Sequence, residues 1–163
     1  MPNATSLANY FIDIAKRDEV DLTLFGLMKR VYITHGFCLA IYNRPAINSR
    51  FDSVEAWKYG PVIPSVYHSF KHNRSNPIKE KSLFVIEKND AGSFDFVTPE
   101  LEDLQIRSVA EFVWRRYHGY DDKQIIDLTH QKGTPWHFCY EEGKNKDIPD
   151  YITKVYYDNL VKK

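Results

Sequence analysis

The sequence VEAWKYGPVIPSVY at residues 54–67 determines where the chain turns and where a helix can begin. Gly60 can adopt backbone angles that are closed to other residues, and Pro61 fixes its own φ while disfavouring helical angles at the residue before it. Pro64 stands where a helix can start, because the first helical position needs no N–H donor. We therefore predict three consecutive segments: an extended segment at 54–57, a rigid elbow at 59–61 and a helix at 64–71.

The aromatic residues of this stretch have two interpretations, which the sequence leaves open. Trp57 and Tyr59 can be core anchors beside a structural turn, which is ordinary core building. They can instead form an exposed aromatic patch with a charged rim, which is the composition of a protein-binding hot spot. Glu55 is central to this choice. If it faces inward, its carboxylate needs a partner such as Lys58, His35 or a backbone N–H, and if it faces outward it belongs to the rim.

A long apolar segment before this stretch predicts the central helix of the fold. Thr23 can cap the helix, and apolar residues cover much of its circumference from Leu24 to Tyr42. His35 lies near the apolar face, with Tyr32 one turn earlier. We predict that both residues are structural and orient the neighbouring loop, with His35 hydrogen-bonded in the core. A general base at His35 is the alternative.

The rest of the chain predicts further helices and one β-hairpin. Strands at 83–87 and 93–97 flank a turn at 89–92, and Phe94 and Phe96 alternate with polar residues, so one face of the second strand is expected to be buried. Helix starts are predicted at Thr5 or Ser6, at Thr98-Pro99-Glu100, at Asp121, at Thr134-Pro135 and near Asp147-Pro149. The expected fold class is α+β, mainly α: a single helical domain over residues 1–163 with a small antiparallel β-hairpin.

The composition argues against several classes of partner. The chain carries 22 basic and 22 acidic residues, so no global field draws it to nucleic acid or to an anionic membrane. No apolar run is expected to reach membrane-spanning length, and the N-terminus does not resemble a signal peptide. Cys38 and Cys139 are far apart and resemble small buried hydrophobic residues rather than a disulfide. We expect a cytoplasmic protein with no membrane partner.

A basic tract follows residues 54–67, at Lys71, Arg74, Lys79 and Lys81. Such tracts can follow a phosphate backbone, but in a neutral chain they are usually a solvated face. Nucleic acid is therefore not an expected partner, and an operator-binding regulator is kept as an alternative class.

The candidates for catalysis or metal binding are few. His68 and His72 stand four residues apart on a predicted helix, a spacing that places both imidazoles on one face, as a zinc pair requires. The metalloprotease pattern has Glu after the first His, but position 69 is Ser, and no third ligand is evident. Cys38 and His35 are neighbours on one helix, a poor arrangement for a nucleophile, a base and an oxyanion hole. We predict no catalytic residue, metal or cofactor, with a metal- or His-dependent enzyme as the alternative.

Two motifs in fixed order resemble a known family. The first is Lys29-Arg30-Val31-Tyr32-Ile33-Thr34-His35-Gly36, the second is Glu55-Ala56-Trp57-Lys58-Tyr59-Gly60-Pro61-Val62, and Gly133-Thr134-Pro135-Trp136 is a weaker third. Together they resemble the Panacea antitoxin domain, the SocA-like or GepA-type phage-associated family. The resemblance is strong over residues 5–71 and weaker over 72–163.

The resemblance implies an intracellular bacterial or prophage protein, without enzymatic activity, that neutralises a protein toxin encoded by a neighbouring gene. Direct binding is the expected mechanism. Delivery of the toxin to a Clp-type protease is the alternative, and it would add that protease as a partner. The partner-binding residues predicted from the second motif and the helix after it are Glu55, Trp57, Lys58, Tyr59, Gly60, Pro61 and Tyr67.

Overall fold

The computed structural model describes residues 3–88 and 92–162, and this part of the chain is mainly helical with small antiparallel sheets, which confirms the predicted fold class. The α-helices are α1 Ala4–Arg17, α2 Leu24–Tyr42, α3 Pro64–Phe70, α4 Leu104–Arg116, α5 Asp122–His130, α6 Pro135–Cys139 and α7 Asp150–Val161. The strands are β1 Glu55–Trp57, β2 Gly60–Val62, β3 Phe84–Glu87, β4 Phe94–Val97 and β5 Lys146–Asp147, and a 3₁₀ turn spans Lys71–Asn73.

Helix α2 is the centre of the fold because other elements cover it on nearly every side. It packs against helices α1, α3, α4, α5 and α7 and against strand β2. The helix is long and apolar enough to cross a membrane, with a mean hydropathy of 1.2, which corrects the expectation that no apolar run reaches that length. However, 83% of this apolar window is buried inside the protein, as in the core helix of a folded domain.

Local capping signals place most helix starts correctly. The Thr23 and Thr134 hydroxyls each accept a backbone N–H from the first turn of α2 and of α6, at 3.3 Å. Asp121 forms a capping box at the start of α5. Pro64 occupies the first turn of α3, and α7 begins directly after Pro149. These predictions are confirmed. The starts could be predicted because each depends on residues within one turn of the helix start.

Two predicted helix starts are wrong, because another residue supplies the cap. Helix α1 is capped by Asn3 rather than by Thr5 or Ser6, and the Asn3 side-chain oxygen accepts a first-turn N–H at 2.8 Å. Helix α4 is capped by Asp103, whose Oδ1 accepts two backbone N–H groups at 3.0 Å each. The predicted start at 98–100 instead lies in the segment that connects β4 to this cap.

Residues 55–62 fold into a short hairpin rather than an elbow. Strands β1 and β2 pair in antiparallel register and leave Lys58 and Tyr59 as the turn between them. Strand β5 pairs with the other edge of β1, which gives a three-stranded sheet in the order β2-β1-β5. The predicted elbow at 59–61 is thus largely strand, since pairing resumes at Gly60. The φ of Gly60 is +112°, a conformation that favours glycine.

Strands β3 and β4 form the second hairpin, as predicted from the sequence. We call its described residues, 83–88 and 92–97, the hairpin arm. The turn predicted at 89–92 falls mainly on residues 89–91, which lie outside the described part of the chain. The prediction that one face is buried is wrong: Phe94 and Phe96 keep 59% and 71% of their surface exposed. Alternation shows that a face is apolar, but not that the same chain covers it.

Lys29 joins α2 to the first hairpin inside the core. Its side chain is 1% exposed, and Nζ donates a hydrogen bond to the carbonyl oxygen of Pro61 at 2.7 Å. A Cβ atom at Gly60 would lie 2.9 Å from this Nζ, so the close approach is a second reason for glycine there. Burial lowers the pKa of the Lys29 amine from 10.5 to about 7, because desolvation penalises the charged form.

We predict that Lys29 makes folding stability depend on pH. The unfolded chain keeps the amine protonated up to about pH 10.5 whereas the folded protein releases the proton near pH 7, so the unfolded state binds more protons between these values and stability rises with pH. The free energy of unfolding should rise by about 2 kcal/mol between pH 7 and pH 9, measured by urea denaturation. Lys29→Met should lack this rise, and equal pH slopes in the two proteins would contradict the assignment.

Candidate functional site

The first hairpin carries an aromatic cluster whose indole N–H groups are bonded within the protein. The indole N–H of Trp57 donates to Glu55 Oε2 at 2.7 Å, and the Trp57 ring meets the Tyr67 ring edge-on with centroids 5.1 Å apart. The indole N–H of Trp136 on α6 donates to the Trp57 carbonyl oxygen at 2.6 Å. These contacts hold β1 against α3 and α6.

The predicted partner-binding residues divide into two groups by exposure. Five of them are buried or half-buried in the fold: Glu55, Trp57, Gly60, Pro61 and Tyr67. Lys58 and Tyr59 form the exposed turn, where the Tyr59 side chain is 57% exposed and Lys58 Nζ lies 5.5 Å from the ring centroid. The role of this set in partner binding stays a prediction, and the turn is the part that a partner can reach directly.

Both ring nitrogens of His35 are used inside the protein. The imidazole is fully buried, and Nδ1 accepts the backbone N–H of Ala46 at 3.3 Å. Nε2 therefore carries the ring proton and donates to Asp150 Oδ1 at 2.9 Å. The hydrogen bond from His35 lowers the pKa of Asp150. His35 thus joins α2, the loop that follows it and the first turn of α7.

Tyr32 and Gly36 form the contact between α2 and α7. Tyr32 is 1% exposed, its ring lies edge-on to that of Tyr157 at a centroid distance of 6.1 Å, and burial raises the pKa of its phenol. A Cβ atom at Gly36 would lie 2.3 Å from the Tyr157 ring. Glycine at this position therefore lets α7 pack directly against the backbone of α2.

The candidates for catalysis or metal binding do not converge on a site. His68 and His72 are both exposed. Among residues 3–88 and 92–162, no group of three or more His, Cys, Asp or Glu side chains could hold a metal ion. The Cys38 thiol is buried, and burial raises its pKa to about 12, which keeps it protonated at neutral pH.

Two lysines of the predicted basic tract face acidic residues. Lys79 Nζ lies 3.4 Å from Asp21 Oδ1, and Lys81 Nζ lies 3.1 Å from Asp13 Oδ2 and 3.2 Å from Glu100 Oε1. The other two basic residues of the tract are exposed in and just after the 3₁₀ turn. The tract is therefore partly neutralised and does not form a continuous basic surface.

A cavity of about 510 Å³ lies between the start of α2, the end of α4 and the start of α5. Several of its polar groups bond to the protein itself, although the buried Nε of Arg30 has no hydrogen-bond partner among the described residues. The Thr23 hydroxyl donates to Asp122 at 2.6 Å, and the Arg30 guanidinium donates to the carbonyl oxygens of Gly26 at 3.1 Å and Tyr117 at 3.2 Å. These bonds hold α4 and α5 against α2.

The hairpin arm is an apolar surface that the sequence did not reveal. Its large apolar side chains keep between 39% and 71% of their surface exposed: Leu83, Phe84, Val85, Ile86, Phe94, Phe96 and Val97. The run of apolar residues at 83–86 was a signal for this surface. A strand with one solvated face alternates between apolar and polar residues, whereas this run places apolar side chains on both faces. The alternation of the second strand alone favoured a buried face.

A second exposed apolar patch lies between α6 and α7. The side chains of Phe138, Tyr151 and Val155 are 72%, 71% and 61% exposed. They line a groove of about 450 Å³ together with Pro135 and Ile152. This patch has three large exposed apolar side chains against seven in the hairpin arm, and it provides matched positions for control substitutions.

We predict that Trp57 and Tyr59 differ in their contribution to stability. Trp57→Ala should lower the free energy of unfolding by about 2–3 kcal/mol, because it removes the packing on Tyr67 and the partner of Glu55. Tyr59→Ala should change it by less than about 0.5 kcal/mol, because the ring is exposed. Urea denaturation measures both values, and a loss in Tyr59→Ala equal to that in Trp57→Ala would contradict this division. Tyr59→Ala is therefore the better variant for testing partner binding at the turn.

Comparison with known proteins identifies the family. A family model described as "Antitoxin SocA-like, Panacea domain" matches residues 27–137, a range that includes most of α2 and both hairpins. The chain is 29% identical over 134 residues to Antitoxin SocA of Caulobacter vibrioides (strain NA1000 / CB15N), which covers 82% of this chain and 68% of that protein. No solved structure matches the chain significantly. The predicted resemblance is confirmed, and the protein belongs to the SocA-like Panacea domain family.

Proposed function

We propose that this protein neutralises a protein toxin from a neighbouring gene by binding it directly. Membership of the SocA-like Panacea domain family supports an antitoxin role and implies a toxin as partner. Direct binding is the mechanism we add to that role. We further propose that the protein acts in the bacterial cytoplasm, where its two free cysteines would stay reduced.

The observation that carries direct binding is the exposed apolar surface of the hairpin arm. Monomeric proteins rarely expose a contiguous apolar patch of several large side chains, and such patches are typical of protein-binding surfaces. The arm carries seven of them, each at least 39% exposed. A surface of this kind gains free energy when another protein covers it, because apolar area is removed from water.

Membership of an antitoxin family favours a role without enzymatic activity. The surroundings of His35 and Cys38 support this part of the proposal. His35, the residue considered as a general base, has both ring nitrogens bonded to the backbone of Ala46 and to Asp150. The Cys38 thiol is held protonated by burial, which raises its pKa to about 12. The proposed function therefore depends on a surface that contacts the toxin and not on a catalytic residue.

Co-expression with each flanking open reading frame tests the proposal. We expect one flanking product to arrest growth alone, to be tolerated together with this protein, and to co-elute with it in size-exclusion chromatography. Toxin levels in cells with and without a Clp-type protease form the control. Rescue accompanied by Clp-dependent loss of the toxin would replace simple binding by delivery for degradation, and failure of every flanking product to be rescued would contradict the proposal.

A further inference from the structure

We propose that the outer face of the hairpin arm, formed by Val85, Phe94 and Phe96, packs against an apolar surface of the toxin. This inference rests on the proposed function and assigns a contact surface to it. It differs from the prediction that the toxin binds at the turn of Lys58 and Tyr59. The two surfaces can be tested separately, because they belong to different hairpins.

The pairing register defines the two faces of the arm. Residues directly opposite each other in an antiparallel pair share one face, and side chains alternate along each strand. Val85 pairs with Phe96, and Glu87 pairs with Phe94, so these four side chains lie on the same face. The pairs Phe84↔Val97 and Ile86↔Asp95 therefore form the opposite face.

A groove that the arm shares with the body of the protein indicates which face points inward. Phe84 lines a groove of about 370 Å³ together with residues of α1, of α3 and of the loop before β1, including Thr5, Phe51 and Ser69. The face that carries Phe84 is thus the inner one, and Phe84 is the least exposed apolar side chain of the arm, at 39%. The outer side chains, Val85, Phe94 and Phe96, are 59%, 59% and 71% exposed.

The body of the protein holds the arm at its base through Asn9 on α1. The Asn9 side chain is fully buried, and its amide nitrogen donates to the carbonyl oxygens of Ser82 at 3.0 Å and Pro99 at 3.1 Å. Its amide oxygen accepts the backbone N–H of Ser82 at 2.9 Å. One buried side chain therefore fixes the residues that enter and leave the arm. A surface that is positioned before binding loses less conformational entropy when a partner covers it.

The size of the arm fits an interface between two different proteins. An aromatic side chain buries about 150–250 Å² when fully covered, so the exposed parts of the three outer side chains, Val85, Phe94 and Phe96, amount to roughly 350 Å². A standard heteromeric interface covers about 800 Å² on each partner, whereas obligate homodimers usually cover more. The outer face can therefore supply the apolar centre of an interface of ordinary size, with the surface around it supplying the rest.

The charges of the arm favour a protein partner over a lipid surface. The charged residues described in the arm are Glu87, Lys88 and Asp95, two acidic and one basic, and Lys88 pairs with Asp95 at 3.0 Å. Surfaces that insert into anionic membranes combine apolar side chains with several basic ones. On the outer face the charged side chain is Glu87, placed at the rim as in protein interfaces.

The double substitution Phe94→Ser with Phe96→Ser tests the proposal, with Phe138→Ser as the matched control. Phe96 and Phe138 are 71% and 72% exposed, so neither substitution removes a core contact. The double variant should weaken capture of the co-expressed toxin by at least about 100-fold in Kd and abolish growth rescue, because central apolar side chains dominate interface energies. Phe138→Ser should stay within about 3-fold of the unsubstituted protein. Thermal unfolding checks that all proteins are folded, and Phe96→Lys replaces the double variant if that one unfolds.

The outcomes distinguish failure of the arm as the contact surface from failure of the proposed function. If the unsubstituted protein captures the toxin and the double variant captures it equally well, the arm is not the contact surface, although direct binding stands. Loss of capture in Tyr59→Ala or Phe138→Ser, with the arm variant unaffected, would move the contact to the turn or to the α6–α7 patch. If the double variant changes the protein from dimer to monomer without affecting toxin capture, the arm binds a second copy of this chain, and the proposal is overturned. If the unsubstituted protein captures no flanking product, the proposed function fails, and with it the occupant assigned to the arm.

Discussion

Helix α2 can lie at the centre of this protein because the amine of Lys29 has an acceptor inside the core. An unpaired polar group buried at this depth would be strongly destabilising. The Pro61 carbonyl oxygen, 2.7 Å away, accepts its hydrogen bond, and Gly60 leaves the space for this approach. The same bond positions the first hairpin, and Trp136 and Asp150 then attach α6 and α7 to the structure around it.

The signature of the family describes a framework more than a contact surface. Lys29, His35, Gly36 and Gly60 all make contacts inside the protein, which join α2 to the first hairpin and to α7. Recognising these residues therefore identifies the fold and the antitoxin family but leaves the partner unspecified. The hairpin arm has the opposite character: it is held at its base by Asn9, contributes no buried side chain and exposes apolar area.

The sequence was sufficient where structure depends on neighbours along the chain. The helix starts at Thr23 and Asp121 were predictable because a cap acts within one turn. The pairing of β5 with β1 was not predictable, because it joins residues that are far apart in the sequence. The exposure of Phe94 and Phe96 was not predictable either, because alternation gives the face of a side chain and the rest of the fold decides whether that face is covered. Within the predicted site, the turn at 58–59 is exposed, whereas the other predicted residues are buried or half-buried.

The most direct test of the account is hydrogen–deuterium exchange of this protein alone and in complex with the toxin identified by co-expression. If the toxin covers the hairpin arm, backbone amides at 83–88 and 92–97 should exchange more slowly in the complex, whereas those of the α6–α7 patch should exchange at the same rate. Unchanged exchange throughout the arm, with new protection at another surface, would contradict the central claim that the arm is where the antitoxin contacts its target.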